Sequence, residues 1–111
     1  MHYRFILVVI MYNRFEIACE FAEAIKSEYI LKIVLFGSVA RGNDSLHSDI
    51  DILIVSNYRD KIWQIIRKEI TNIIIEKQQI VSAHVLSENQ IKEINDFTFM
   101  KNIRKEGIIL G

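Results

Sequence analysis

The stretch of residues 33–55 constrains the fold of this chain more than any other part of its sequence. It opens with the apolar run Ile33–Phe36, which is too short for a buried helix and rich in β-forming residues, and so predicts a buried strand. A polar segment that begins with Gly37-Ser38 follows, and then Asp49 and Asp51 alternate with isoleucines. The pattern therefore predicts two strands joined by a polar turn.

The Gly37-Ser38 pair has the properties of a phosphate-binding turn. Glycine allows the backbone to turn sharply and to approach a ligand closely. Ser38 can cap a helix that begins at Val39, and the free N–H groups at such a helix start point outward. We therefore expect a phosphate group to bind at this turn.

Asp49 and Asp51 are predicted to share one face of a strand over Asp49–Val55, because side chains two residues apart on a strand point the same way. Their Cα atoms would lie about 6.5 Å apart, at a rise of roughly 3.3 Å per residue. Carboxylates at this spacing can converge on one or two hard cations, and paired Mg²⁺ ions are widely used for displacement at phosphorus. Alternating carboxylates can also be a solubility device of an edge strand, but their occurrence together with the Gly-Ser turn favours a functional site.

These residues resemble the signature of the DNA polymerase beta nucleotidyltransferase superfamily. The resemblance rests on Gly37-Ser38-Val39-Ala40-Arg41-Gly42 and Ser48-Asp49-Ile50-Asp51-Ile52, with ten positions between Ser38 and Asp49. Within the superfamily, the chain most resembles the minimal nucleotidyltransferase branch. These are small prokaryotic proteins that often pair with a helical HEPN protein in toxin–antitoxin systems. The resemblance implies an α+β (α/β layered) nucleotidyltransferase fold, a small mixed β-sheet backed by helices.

The resemblance also implies a role for each matching residue. Gly37-Ser38 would hold a nucleoside triphosphate, with ATP expected, and Asp49 and Asp51 would bind a divalent metal, with Mg²⁺ expected. Such a site would transfer a nucleoside monophosphate, AMP being the leading candidate, to an acceptor hydroxyl. Two interpretations of Arg41 have equal weight: it contacts the triphosphate, or it pairs with Asp44.

This chain departs from the superfamily pattern at the third strand, which usually carries a third carboxylate. The predicted strand Gln79–Leu86 contains no aspartate or glutamate. Ser82 and His84 occupy the face where the carboxylate is expected, so His84 is a candidate base or metal ligand, although a surface histidine is the commoner case. Glu76 could substitute only if the preceding helix end curls inward. Two functions therefore stay open: an active nucleotidyltransferase, and a catalytically degenerate nucleotide-binding or partner-binding module that acts by contact.

Apolar residues at three- and four-residue steps predict helices around these strands. The predicted helices are Asn13–Tyr29, Asp60–Lys77, a short one opened by a capping box at Ser87 and Gln90, and one from a cap at Asp96 to Gly107.

The 111 residues suffice for one domain, predicted over 1–111, in which residues 1–12 are either an added strand or an extension before a functional start at Met11. The 14 basic and 14 acidic residues balance, which argues against direct DNA binding. The apolar run Phe5–Met11 is too short to span a bilayer, and the single cysteine fits a reducing interior, so we expect a cytoplasmic protein without membrane association. Apolar residues at both ends, including Ile108–Leu110, predict a homodimer or a complex with a helical HEPN-type protein.

Overall fold

The computed structural model describes residues 13–45, 47–94 and 97–111. The predicted N-terminal strand or extension, residues 1–12, and the predicted helix cap at Asp96 lie outside the described residues. The elements in chain order are α1 (Arg14–Ile25), β1 (Lys32–Phe36), α2 (Gly37–Arg41), β2 (Ile50–Val55), α3 (Arg59–Lys77), β3 (Val81–Leu86), α4 (Glu88–Glu93), α5 (Thr98–Glu106) and β4 (Ile108–Ile109).

The strands form one mixed sheet in the order β3-β2-β1-β4. β1 pairs antiparallel with both β2 and β4, whereas β2 pairs parallel with β3. Parallel neighbours need a long crossover connection, and α3 provides it between β2 and β3. The predicted fold class, a small mixed sheet backed by helices, is confirmed.

The two faces of the sheet bury separate apolar clusters, because strand side chains alternate between faces. The larger cluster, packed against α1 and α3, includes Ile52 from the middle of β2. The smaller cluster combines Leu53 of β2 with Met100 and Ile103 of α5. Asp51 has the same strand parity as Leu53, so its carboxyl group lies on the face that α5 covers.

α1 ends at Ile25, before the predicted end at Tyr29. The Ser27 hydroxyl accepts a hydrogen bond from the Tyr29 N–H at 3.2 Å, and local bonds of this kind compete with those of a helix. The Tyr29 ring packs on the Tyr58 ring, with centroids 5.5 Å apart. The predicted helix was therefore too long, because this serine and this aromatic contact turn the chain toward β1.

The strands β2 and β3 begin at Ile50 and Val81, slightly later than the predicted starts at Asp49 and Gln79. The Ile50 N–H donates to the Ile80 carbonyl at 2.9 Å, and this bond opens the pairing between the two strands. Both predicted starts precede that bond, so Asp49 lies just outside the sheet and is exposed.

The last part of the chain agrees with its sequence signals. Ser87 and Gln90 form the predicted capping box at the start of α4, and α5 ends at Gly107. The apolar tail adds a short strand to the sheet, because Ile108 pairs with Leu35 of β1. Among the described residues, no helix combines the length and the apolar character needed to cross a membrane.

Candidate active site

Gly37 begins α2 directly after β1 and lies against the carboxyl group of Asp51. Its φ of 75° is in the left-handed region, where glycine is favoured. A Cβ atom at this position would collide with the carboxylate, since even Asp51 Cγ would be only 3.2 Å away. The site therefore requires glycine for two reasons, the sharp turn and the close approach of the carboxylate.

Ser38 lies inside the first turn of α2, so the predicted cap before a helix at Val39 is wrong. The helix begins earlier, at Gly37, and its N-cap residue is Phe36, which makes no side-chain capping hydrogen bond. The side chain of phenylalanine has no atom that can accept a hydrogen bond. An uncapped first turn leaves backbone N–H groups available to an external acceptor, so the predicted phosphate-binding turn keeps its chemistry.

Asp51 lies in the middle of the sheet, opposite Phe36 on β1 and Ser82 on β3. Burial disfavours the charged carboxylate and raises the pKa of Asp51 above its ordinary value of 3.8. His84 opposes this rise in pKa, the negative charge of Asp49 adds to it, and Arg41 opposes it. These three side chains, all predicted from the sequence, therefore lie close enough to act on one carboxyl group.

His84 lies on the same face of the sheet as Asp51, as predicted, and is half-buried. Its Nε2 atom is 3.5 Å from the Ser82 hydroxyl, and its ring packs on Phe36 with centroids 5.5 Å apart. By contrast, α3 stays helical through Glu76, which is exposed, so the inward curl that would bring Glu76 to the site does not occur.

Arg41 pairs with Glu106 of α5, with Nη1 3.0 Å from Oε2. The predicted alternative, a pair with Asp44, is wrong because the loop after α2 carries Asp44 toward α1, where Arg14 donates to it at 3.3 Å. The side chains of Arg41 and Glu106 are 42% and 28% exposed. Ion pairs this exposed contribute little to stability, so a phosphate could displace Glu106 from Arg41 at small cost.

A cavity of about 200 Å³ lies between α2 and α5 and is bordered by Gly37, the residue that contacts Asp51. Three of its lining side chains, Phe99, Asn102 and Glu106, come from α5 and were missed by the sequence reasoning. Their spacing places them on one face of a helix, but nothing in that spacing shows that the face meets α2. A larger cavity of about 560 Å³ on the same side of the sheet is lined by none of the predicted site residues.

Asp49 and Asp51 fit a divalent metal as hard oxygen donors. Within residues 13–45, 47–94 and 97–111, no cluster of three or more His, Cys, Asp or Glu side chains could hold a metal ion. Mg²⁺ is commonly bound by one or two carboxylates, with water and substrate phosphates completing its coordination. The pair is therefore suited to a metal that binds together with a nucleotide.

The sequence profile of the nucleotidyltransferase domain family matches residues 18–110. The chain belongs to the nucleotidyltransferase domain family. A Methanocaldococcus jannaschii protein named as a protein adenylyltransferase is 37% identical over 94 residues, which cover 82% of this chain and 91% of that protein. Enzymes of this family generally use a divalent metal.

Solved structures share the fold. A nucleotidyltransferase structure from Sulfolobus solfataricus matches with a TM-score of 0.50 and 23% identity, covering 85% of this chain and 76% of its own. A toxin–antitoxin structure with AMP-PNP matches with a TM-score of 0.54 and 15% identity, covering 90% and 73%. A mutant of the toxin–antitoxin MntA–HpeT matches with a TM-score of 0.53 and 14% identity over the same shares. The predictions of family, fold and enzyme class are confirmed.

Proposed function

We propose that this nucleotidyltransferase transfers AMP from ATP, with Mg²⁺, to a hydroxyl group of a protein acceptor. The observation that carries the proposal is the contact between Gly37 and Asp51, in which an uncapped helix start lies beside a half-buried carboxyl group. The relative named as a protein adenylyltransferase supports both the nucleotide and the class of acceptor. The toxin–antitoxin structure of the same fold with AMP-PNP supports an adenine nucleotide.

The residues of α2 would bind the triphosphate. Backbone N–H groups of the first turn, including those of Gly37 and Ser38, donate to its oxygen atoms. Arg41, released from Glu106, adds a positive charge to the same phosphates. Asp49 and Asp51 hold the Mg²⁺ ion, which when bound neutralises charge on the triphosphate and polarises the α-phosphate.

In the transfer, the acceptor oxygen attacks the α-phosphorus while the bond from that phosphorus to the bridging oxygen of pyrophosphate breaks. The acceptor hydroxyl must lose its proton, and the third carboxylate that usually assists is missing from β3. His84 is the candidate base, because it lies on the face of Asp51 and its neutral ring can accept a proton. General-base assistance contributes about 10²–10⁴ in rate.

The test uses ATP that carries an isotope in its α-phosphate, incubated with the protein, its co-purified proteins and Mg²⁺ or Mn²⁺. We expect label on a protein acceptor and none with Asp49→Asn/Asp51→Asn. Asp60→Asn, an exposed aspartate on α3, is the matched control and should label normally. His84→Ala should reduce the rate by about 10²-fold or more if His84 is the base.

Two outcomes would decide against this function. Nucleotide binding without any transfer of label would favour the alternative, a degenerate nucleotide-binding or partner-binding module. An unchanged rate in His84→Ala would remove the base assignment and leave His84 as a strand residue.

We also propose that the chain works with a partner, either a second copy or a helical HEPN-type protein. The fold is shared with proteins solved as toxin–antitoxin structures, and apolar side chains remain exposed on the described part, among them Leu31 (55%) and Ile109 (66%). Light scattering at high concentration and co-purification test this. A strictly monomeric species without a partner would contradict it. The single domain and the cytoplasmic location remain predictions.

A further inference from the structure

The cavity between α2 and α5 has residues assigned to phosphate binding on one side, and aromatic, amide and carboxylate side chains on the other. On one side lie Gly37 and Arg41, which the proposed function assigns to the triphosphate. On the other side Phe99, Asn102 and Glu106 form one stripe of α5, because residues three and four apart share a helix face. An aromatic ring, an amide and a carboxylate thus face the phosphate-binding turn.

Phe99 is held in place by other rings. It packs edge-on against Phe36, with centroids 5.5 Å apart and an interplanar angle of 84°, and its centroid is 6.0 Å from that of His84. Phe99 nevertheless remains 36% exposed. A fixed, partly exposed aromatic ring beside a phosphate site is suited to stacking on a nucleobase.

The amide and the carboxylate of the stripe match the rest of a purine nucleoside. An asparagine side chain can accept from the N6 amine of adenine and donate to its N7 atom. An acidic side chain near a nucleotide site can accept hydrogen bonds from ribose hydroxyls. Glu106 becomes available for this when Arg41 turns from it to the phosphates.

The size of the cavity agrees with this division of the ligand. Pockets that enclose a whole drug-sized molecule have roughly 300–1,000 Å³, whereas this cavity has about 200 Å³. It can therefore enclose only one part of a nucleoside triphosphate. Because Gly37 and Arg41 border it, that part is the one that continues from the bound phosphates.

We propose that this cavity binds the adenine nucleoside of the substrate, with Phe99 stacked on the base, Asn102 bonded to its edge and Glu106 bonded to the ribose. The inference rests on the proposed function, since it takes the triphosphate to bind at α2. It makes α5 the element that selects the nucleotide.

The test compares ATP, GTP and inorganic tripolyphosphate, each with Mg²⁺, by calorimetry. Tripolyphosphate occupies the phosphate site alone, so the nucleoside contribution is the ratio of the two affinities. We expect Phe99→Leu to weaken ATP by about tenfold and to leave tripolyphosphate unchanged. Asn102→Asp should weaken ATP by about tenfold, because a carboxylate cannot donate to the N7 atom of adenine. It should not strengthen GTP, because the N7 and O6 atoms of guanine on that edge both accept hydrogen bonds.

Matched controls exist on the same chain. Phe97→Leu changes an exposed phenylalanine at the N-cap of α5 that does not line the cavity, and Asn72→Asp adds the same charge on α3, on the other face of the sheet. Both should bind ATP as the unchanged protein does. Thermal unfolding of all four variants reports any loss of folding.

Three results would overturn the inference. If ATP binds no more tightly than tripolyphosphate, the nucleoside has no site here, although the phosphate site of the proposed function survives. If Phe99→Leu leaves ATP affinity unchanged and raises only the KM for the acceptor, the cavity belongs to the acceptor. If neither ATP nor tripolyphosphate binds, the proposed function fails together with the nucleoside site.

Discussion

The two faces of the sheet differ in how completely helices cover them. One face is packed against α1 and α3, of 12 and 19 residues, and its β2 side chains Ile52 and Ile54 have no exposed surface. The other is covered by the shorter α4 and α5, of 6 and 9 residues. On this second face Asp51 and His84 remain half-buried, and both described cavities lie there.

The unequal cover explains where a binding site can form in so small a fold. The long helices α1 and α3 cover the first face, called the sealed face below, where the larger of the two buried apolar clusters stabilises the chain. The second face, called the open face below, is covered incompletely. Its polar strand residues therefore lie where a ligand can reach them. Stability and chemistry are therefore divided between the faces of the same strands, and substitutions on neighbouring β2 residues should separate them.

The largest contrast is expected from Asp51→Asn on the open face. Loss of a charge that positions a phosphoryl group typically lowers the rate by about 10³-fold or more, so transfer and Mg²⁺-dependent nucleotide binding should disappear. The free energy of unfolding should stay the same or rise at neutral pH, because burial already disfavours the charged form of Asp51. Isotope transfer and chemical denaturation measure the two effects. A variant that unfolds more readily would place Asp51 among the structural residues.

Ile54→Ala tests the sealed face, three positions along the same strand. Its side chain has no exposed surface, so the change should lower the free energy of unfolding by about 2–5 kcal/mol. Ile109→Ala is the control, since that isoleucine is 66% exposed and should change stability by about 0.5 kcal/mol or less. Urea denaturation measures both. Equal losses in the two variants would show that the faces are not divided in this way.

Two glycines with similar backbone angles differ in their distance from Asp51 on the open face. Gly37 and Gly42 have nearly the same φ, 75° and 76°, but a Cβ at Gly37 meets Asp51 whereas a Cβ at Gly42 meets nothing within 4 Å. Both alanine variants should lose about 1–2 kcal/mol of stability through the left-handed backbone. Only Gly37→Ala should also lose Mg²⁺-dependent nucleotide binding, because it displaces the carboxylate. Equal binding in the two variants would contradict the contact that carries the proposed function.

Much of this arrangement was predictable because local patterns encode it. The Gly37-Ser38 turn and the alternation around Asp51 gave the strands, the helix between them and the convergence of their side chains. Strand parity also placed His84 on the face of Asp51. These predictions depend on periods of two or of three to four residues, which the sequence carries directly.

What the sequence did not predict depends on contacts between distant segments. The partner of Arg41 is Glu106, 65 positions away, whereas the sequence suggested Asp44, three positions away. The start of α2 at Gly37, before Ser38, follows from how β1 ends and not from a capping signal. Likewise, the stripe that begins at Phe99 meets α2 only because α5 crosses the open face, and one sequence contains no signal for that packing.

The pH dependence of stability should change only slightly, and it again separates Asp51 from the sealed face. The folded state raises the pKa of Asp51 above 3.8, chiefly by burial. A raised folded pKa means that the folded state holds its proton more tightly, so the contribution to stability is present at low pH and is lost as pH rises through the folded pKa. The stability of the unchanged protein should therefore fall relative to Asp51→Asn as pH rises from below 3.8 through that pKa, and the two curves should run parallel above it.

Nucleotide binding with Mg²⁺ should change in the opposite sense, because the metal requires the ionised carboxylate and competes with the proton. Denaturation curves and calorimetry across this pH range, without and with Mg²⁺, measure both trends, and Ile54→Ala should show neither difference. If the unchanged protein instead loses stability relative to Asp51→Asn as pH falls, Asp51 is stabilised as the anion, as in a carboxylate held by an ion pair.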